Sequence, residues 1–213
     1  MVIYGAAIAA GPSLLVRRTT VLGPSKELTR TCREAFDKFC SEFSMHAETL
    51  GFTRSKSTLW TRVHPLTVDL FCFFREGTSY GAPISASVGV RVTLAIRVLN
   101  DPFDGLVLNG PCTSDFIGRR PPGYHLSFNA RSFSQYERCL TDVLRFVREQ
   151  GLPWFSEYAD PAALIERVDS PLSPPERARL QAAQAGNSDA TAIAASRKLL
   201  RLRAASKRSK GAV

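Results

Sequence analysis

A chain of 213 residues with 44% hydrophobic side chains carries enough apolar material for one domain with a sizeable core, and for at most two small ones. No apolar run reaches the roughly 18 residues of a membrane-spanning helix, so no membrane span is expected. The formal charge of +9 is concentrated in a tail, since nine basic residues against two acidic ones lie between Pro171 and Val213, and the remainder is nearly neutral.

Taken in order, Met1–Ala10 is apolar and ends in small residues, but its first basic pair, Arg17-Arg18, follows the apolar part instead of preceding it. That order does not fit a secretory signal, and residues 1–24 are expected to be an irregular leader. Gly23-Pro24-Ser25 marks a boundary with Ser25 as a helix N-cap. Leu28, Cys32, Ala35, Phe36, Phe39, Phe43, Ala47 and Leu50 then form a wide stripe at helical spacing, closed by Gly51 as the residue after the helix. From Phe52 the period changes. Residues 53–63 are β-prone, and Thr67 to Phe74 is almost wholly apolar or β-branched, which suits a strand buried on both faces, with Asp69 its one charge.

Gly77, Gly81 and Pro83 lead into the longest pattern of the chain. From Ile84 to Leu99 the even positions are all apolar and the odd ones are Ser85, Ser87, Gly89, Arg91, Thr93, Ala95 and Arg97, with Leu99 ending the run. Strict alternation means a β-strand with one buried face. At about 3.3 Å per residue such a strand is roughly 50 Å long, and a bend at Gly89 is expected to break it without shifting the alternation.

Asn100-Asp101-Pro102 and Asp104-Gly105 are turn sequences, with Leu106–Leu108 expected as a short strand and Tyr124–Phe128 as an edge strand. Ser134 and Glu137 have the spacing of a capping box ahead of the stripe Tyr136, Cys139, Leu140, Val143, Leu144 and Val147, a helix expected to stop at Gly151. Leu152–Phe155 follows as an apolar plug, and Asp160-Pro161 starts a short helix to Val168. After Pro171–Pro175 two Ala-rich helical stretches, Glu176–Ala185 and Asp189–Ser206, are divided by Gly186-Asn187. The first is expected to dock or stand free and the second to fray into Lys207–Val213. The expected fold is α+β: an antiparallel sheet of four to five strands with two long helices, Ser25–Leu50 and Ser134–Gln150, on one face, occupying residues 25–169, followed by the basic helical tail of residues 170–213.

The helix running into Leu50-Gly51-Phe52, the strand residues Leu59-Trp60-Thr61-Arg62, the apolar strand Val68–Phe74, the long alternating strand, and Gly151-Leu152-Pro153-Trp154-Phe155 before a short terminal helix together resemble an uncharacterised bacterial α+β family, a domain of unknown function, over residues 30–168. The resemblance brings no activity or functional residues with it. Some similar domains look like accessory or immunity-type proteins.

The residues offer little catalytic chemistry. Cys32, Cys40, Cys72, Cys112 and Cys139 are odd in number and lack C-x-x-C spacing, which points to reduced thiols in a cytoplasmic protein, with Cys72 in the core and Cys112 the most exposed. His46, His64 and His125 are scattered, no nucleophile elbow or phosphate-cradling glycine loop occurs, and neither a metal nor a cofactor is expected. The Arg119-Arg120 pair on a stiff Pro-Pro loop can fork onto an anion, although a solvated loop paired to Asp115 is the plainer reading. Arg91 and Arg97 share the small-residue face of the long strand, which Arg62 and Asp69 can extend. A solvated face is again the plainer reading. In the tail, Arg197, Lys198, Arg201, Arg203, Lys207, Arg208 and Lys210 can neutralise phosphates, but no aromatic residue follows Tyr158 to stack on bases, and no apolar face suits a membrane surface. The expected function is a non-catalytic module binding a protein partner through the open sheet face and the arginine loop. Nucleic-acid association through the tail is the alternative, and an enzyme whose site assembles Asp69, Glu76, Asp115 or His125 with an arginine is a third.

Overall fold

The computed structural model describes residues 26–76, 78–79, 82–83, 85–116 and 123–202. Helix α1, Lys26–Thr49, buries the predicted stripe from Cys32 to Ala47. It ends as its sequence requires: Gly51 takes φ +80°, and the amides of Gly51 and Phe52 bond back to the carbonyls of Glu48 and Ala47, each at 3.0 Å. This paired closure of the last turn returns Phe52 into the core. Ser25 lies outside the described residues.

Five antiparallel strands form one sheet in the order β1-β2-β3-β6-β7: β1 Thr53–Lys56, β2 Leu59–Val63, β3 Thr67–Glu76, β6 Ser87–Val98 and β7 Ser127–Asn129. Between β3 and β6, β4 (Thr78–Ser79) and β5 (Ala82–Pro83) make a separate ribbon. The fold is therefore α+β with an antiparallel sheet, as the patterning implied. Along β6, Val88, Val90, Val92, Leu94, Ile96 and Val98 are all buried, sharing a face with Trp60, Phe71 and Phe73 against α1. Ile84 lies outside the described residues. Gly89 has a role other than the expected bend: it sits opposite Glu76, and a Cβ there would lie 2.9 Å from the Cβ of Glu76.

Strand β7 covers only Ser87–Gly89 of the outer edge of β6. The rest is blocked by an irregular segment. Val92 donates its amide to Thr113 Oγ1 at 3.1 Å, Leu94 to the Pro111 carbonyl at 2.9 Å, and the Asn109 amide side chain closes both polar groups of Ile96 at 2.9 Å each. Side chains and the irregular backbone of residues 109–113 thus satisfy an edge that would otherwise invite another strand. Leu106–Leu108, expected as a short strand, forms none.

Two helix expectations need correction. Helix α2, Tyr136–Phe146, follows Gln135 in a left-handed conformation with no side-chain cap. The capping box fails because the Ser134 carbonyl turns back to accept the Asn129 amide at 3.0 Å. Nor does the helix stop at Gly151. A π-helical turn, Val147–Gly151, carries it into α3, Leu152–Glu157, with helical φ at Gly151. Gly151 packs against Phe71 and Leu94 there, where the wide turn lies on the sheet. Helix α4, Pro161–Glu166, is capped as expected, Asp160 Oδ1 accepting the Ala162 amide at 2.9 Å.

The larger correction concerns the other face of the sheet. It is not left to solvent: α6, Ala190–Leu200, closes over it, while α5, Pro174–Gln184, buries Leu180 in the first cluster. Asn100 ties them together, donating to the Arg179 carbonyl at 3.3 Å and accepting the Asp189 amide at 2.7 Å. Leu200 closes a second apolar cluster with Leu59, Val68, Leu70, Cys72, Ala95 and Leu99. Ser196 and Ala192, one and two turns earlier on α6, are buried as well. Burial pushes the Cys72 thiol up to about 12, so this cysteine reports on the cover above it. Leu200→Ala is expected to cost about 2–3 kcal/mol in urea unfolding and to speed labelling of Cys72 by a thiol reagent, whereas a free tail would leave both unchanged. Helix α6 ends with Arg201 at φ +52°, its amide and that of Leu202 closing the last turn onto Lys198 and Arg197. Arg201→Gly is expected to raise stability by about 0.5–1 kcal/mol by relieving the left-handed strain, read as a higher urea midpoint.

Candidate functional site

Arg97, expected on an exposed binding face, is only 4% exposed. Its register on β6 aims the side chain into the space between the sheet, α6 and the turn after β6. There all its nitrogens are used. Nη1 donates to the Gly105 carbonyl at 2.7 Å, Nη2 to the carbonyls of Phe103 at 2.6 Å and Asp101 at 3.2 Å, and Nε and Nη2 to Ser196 Oγ at 3.2 and 3.1 Å. Ser196 passes its own proton to the Asp101 carbonyl at 2.9 Å. Burial lowers the pKa of the guanidinium, and the nearby charges of Asp101 and Glu176 oppose that shift. Asp101 in turn pairs with Arg179 of α5.

One arginine therefore fixes the backbone of the 101–105 turn from beneath. The turn and the residues after it present Phe103, Leu106, Val107 and Leu108 at the surface, between 36% and 51% exposed. A shallow groove of about 720 Å³ runs beside them, lined by Asp101–Asp104 and Val107 on one side and by Ser173, Pro175, Glu176 and Arg179 of α5 and its cap on the other. Four large apolar side chains within six residues, flanked by polar groups, have the character of a contact surface. Sequence reasoning passed over them because turn residues bracket the run. The overlooked signal was an apolar triplet, Leu106–Leu108, with no alternation to send any of it inward.

The other expected residues are dispersed. Arg62 is on the opposite face from Arg91 and Arg97, since the register places it beside Asp69. Asp69, buried, accepts from Arg62 Nε at 2.9 Å and sits 2.8 Å from His64 Nε2, while the Arg62 guanidinium stacks over Phe52 and Phe155. This cluster plugs one end of the core. Arg91 stays half exposed, over Phe74 and 3.6 Å from Glu76. A hollow of about 300 Å³ does bring Glu76 and His125 together with Ser114. The Ser114 hydroxyl, however, is directed to Cys112 Sγ at 3.0 Å, and Asp115 accepts the Cys112 amide at 2.7 Å. Cys112 is the one cysteine that is not buried.

Arg119 and Arg120 lie outside the described residues, as do Arg203, Lys207, Arg208 and Lys210. Lys198 and Arg201 are exposed on α6 and its cap, and Arg197 is half-buried. His46 is exposed on α1. Among the described residues no group of three His, Cys, Asp or Glu side chains is placed to hold a metal ion, and no helix is long and apolar enough to cross a membrane.

Comparison with protein-family models, curated proteins and solved structures returns no match to this chain.

Arg97→Met would leave the carbonyls of Phe103 and Gly105 and the Ser196 hydroxyl without a donor, and the Asp101 carbonyl with Ser196 alone. It is expected to cost about 3–4 kcal/mol and to raise amide hydrogen exchange across residues 101–108, and Arg97→Lys should recover only part because an ammonium cannot span the same carbonyls.

Proposed function

We propose that the protein is a non-catalytic binding module that grips a protein partner with the ridge Phe103, Leu106, Val107 and Leu108. The observation that carries this reading is the pairing of an exposed apolar loop with a buried guanidinium that holds its backbone. Apolar side chains on a mobile loop would lose much of their binding energy to ordering. A loop already pinned at Asp101, Phe103 and Gly105 avoids most of that cost.

An accessory or immunity-type role agrees with the resemblance noted for residues 30–168, and such proteins act by stoichiometric binding. A cytoplasmic setting belongs to the same proposal and is supported by five cysteines that are all free thiols. Nucleic-acid association through the tail is the second reading; of the residues named for it, Lys198 and Arg201 are exposed and Arg197 is half-buried.

The test is parallel capture from an extract of the source organism, using the full chain and a Phe103→Ser, Val107→Ser, Leu108→Ser variant. These positions are exposed, so the variant should melt within a few degrees of the parent. The expected result is a protein retained in stoichiometric amount by the parent and at least about tenfold less by the variant. Equal retention by both, or none by the parent, overturns the proposal.

A further inference from the structure

Resting on that reading, we infer that the partner segment seated beside the ridge is a peptide that carries an apolar anchor next to a basic side chain. The groove is acidic in a chain of formal charge +9. Its lining holds the carboxylates of Asp101, Asp104 and Glu176; Arg179 pairs Asp101 and the buried Arg97 lies near Asp101 and Glu176, which leaves Asp104 as the uncompensated carboxylate. Asp104 is exposed, and among the described residues it has no ion-pair partner. The apolar part of the lining, Pro102, Phe103, Val107 and Pro175, adjoins it. An aliphatic or aromatic side chain laid on Phe103 and Val107 brings a neighbouring Arg or Lys within reach of Asp104, whose uncompensated charge favours it.

An acidic partner segment has a weaker claim, even though the start of α5 opens onto the groove. The Ser173 amide and hydroxyl at that helix start are already donated to Glu176 Oε2, at 2.8 and 2.6 Å. The protein's own carboxylate therefore fills the place that a partner's anion would take. Two prolines, Pro174 and Pro175, open the helix and supply no amide hydrogen, so little is left there for an anion to accept.

Phage-displayed random dodecapeptides selected on the immobilised full chain provide the probe. Synthetic versions of the enriched sequences are then titrated against the parent, Asp104→Lys and a Phe103→Ser, Val107→Ser variant. The expected consensus has an aliphatic or aromatic residue close to Arg or Lys. Asp104→Lys should weaken binding about tenfold, and the double serine variant should weaken it by more. Raising the salt from about 0.1 M to about 0.5 M should weaken the parent complex and leave the Asp104→Lys complex nearly unchanged. Peptides that need Phe103 and Val107 but lack a basic residue, or are indifferent to Asp104→Lys, overturn the inferred partner chemistry and leave the ridge proposal standing. Binding indifferent to both variants, or no enrichment, overturns the ridge proposal as well.

Discussion

The structure depends on a buried guanidinium. Arg97 enters from the middle of the sheet and meets carbonyls of the 101–105 turn and the hydroxyl of Ser196 on α6. A charge in that position is costly unless every donor finds an acceptor. The fold meets the demand by curling the chain after β6 back over the strand and by setting a small residue, Ser196, at the contact point of α6. The tail is thereby part of the body: a larger side chain at position 196 would hold α6 off the sheet, and without α6 the apolar residues Val68, Leu70 and Cys72 would face water.

The same constraint explains how an apolar ridge can sit at the surface of a stable protein. With Asp101, Phe103 and Gly105 held by their carbonyls, the turn does not collapse to bury its own side chains. Leu106, Val107 and Leu108 then bridge from the pinned turn to Asn109, whose amide is clamped to both polar groups of Ile96. The segment is fixed at both ends, and its side chains are directed outward by the backbone that fixes them. Exposure here follows from polar anchoring, which is also what prepares the loop for contact with a partner.

Parts of this were legible in single residues. The stripe from Leu28 to Leu50, Gly51 behind it, the alternation through Val98 and the Asp160-Pro161 start each specify a local conformation that neighbours reinforce. Where local signals competed with tertiary demands, the tertiary demands prevailed. Ser134 lost its capping role to the Asn129 turn, and Gly151 stayed helical because the π turn carries the chain on into α3 over Phe71 and Leu94. The second layer was also implied. A run such as Val68–Phe74, apolar on both sides, calls for cover on both faces of the sheet, but nothing in the strand says that α6 supplies it.

Sequence by itself determined the element types, the antiparallel sheet and the face of β6 that meets α1, because periods of 2 and 3.6 residues are written directly in the order of apolar side chains. It also located the charge in the tail. Only the tertiary structure decided that Arg97 is buried while Arg91 is not, that Arg62 lies on the opposite face with Asp69, and that the 103–108 segment forms the exposed ridge. Two arginines six positions apart on one strand have the same local signature. What separates them is the cover that arrives from residues about a hundred positions later, and no periodicity within the strand encodes that distance.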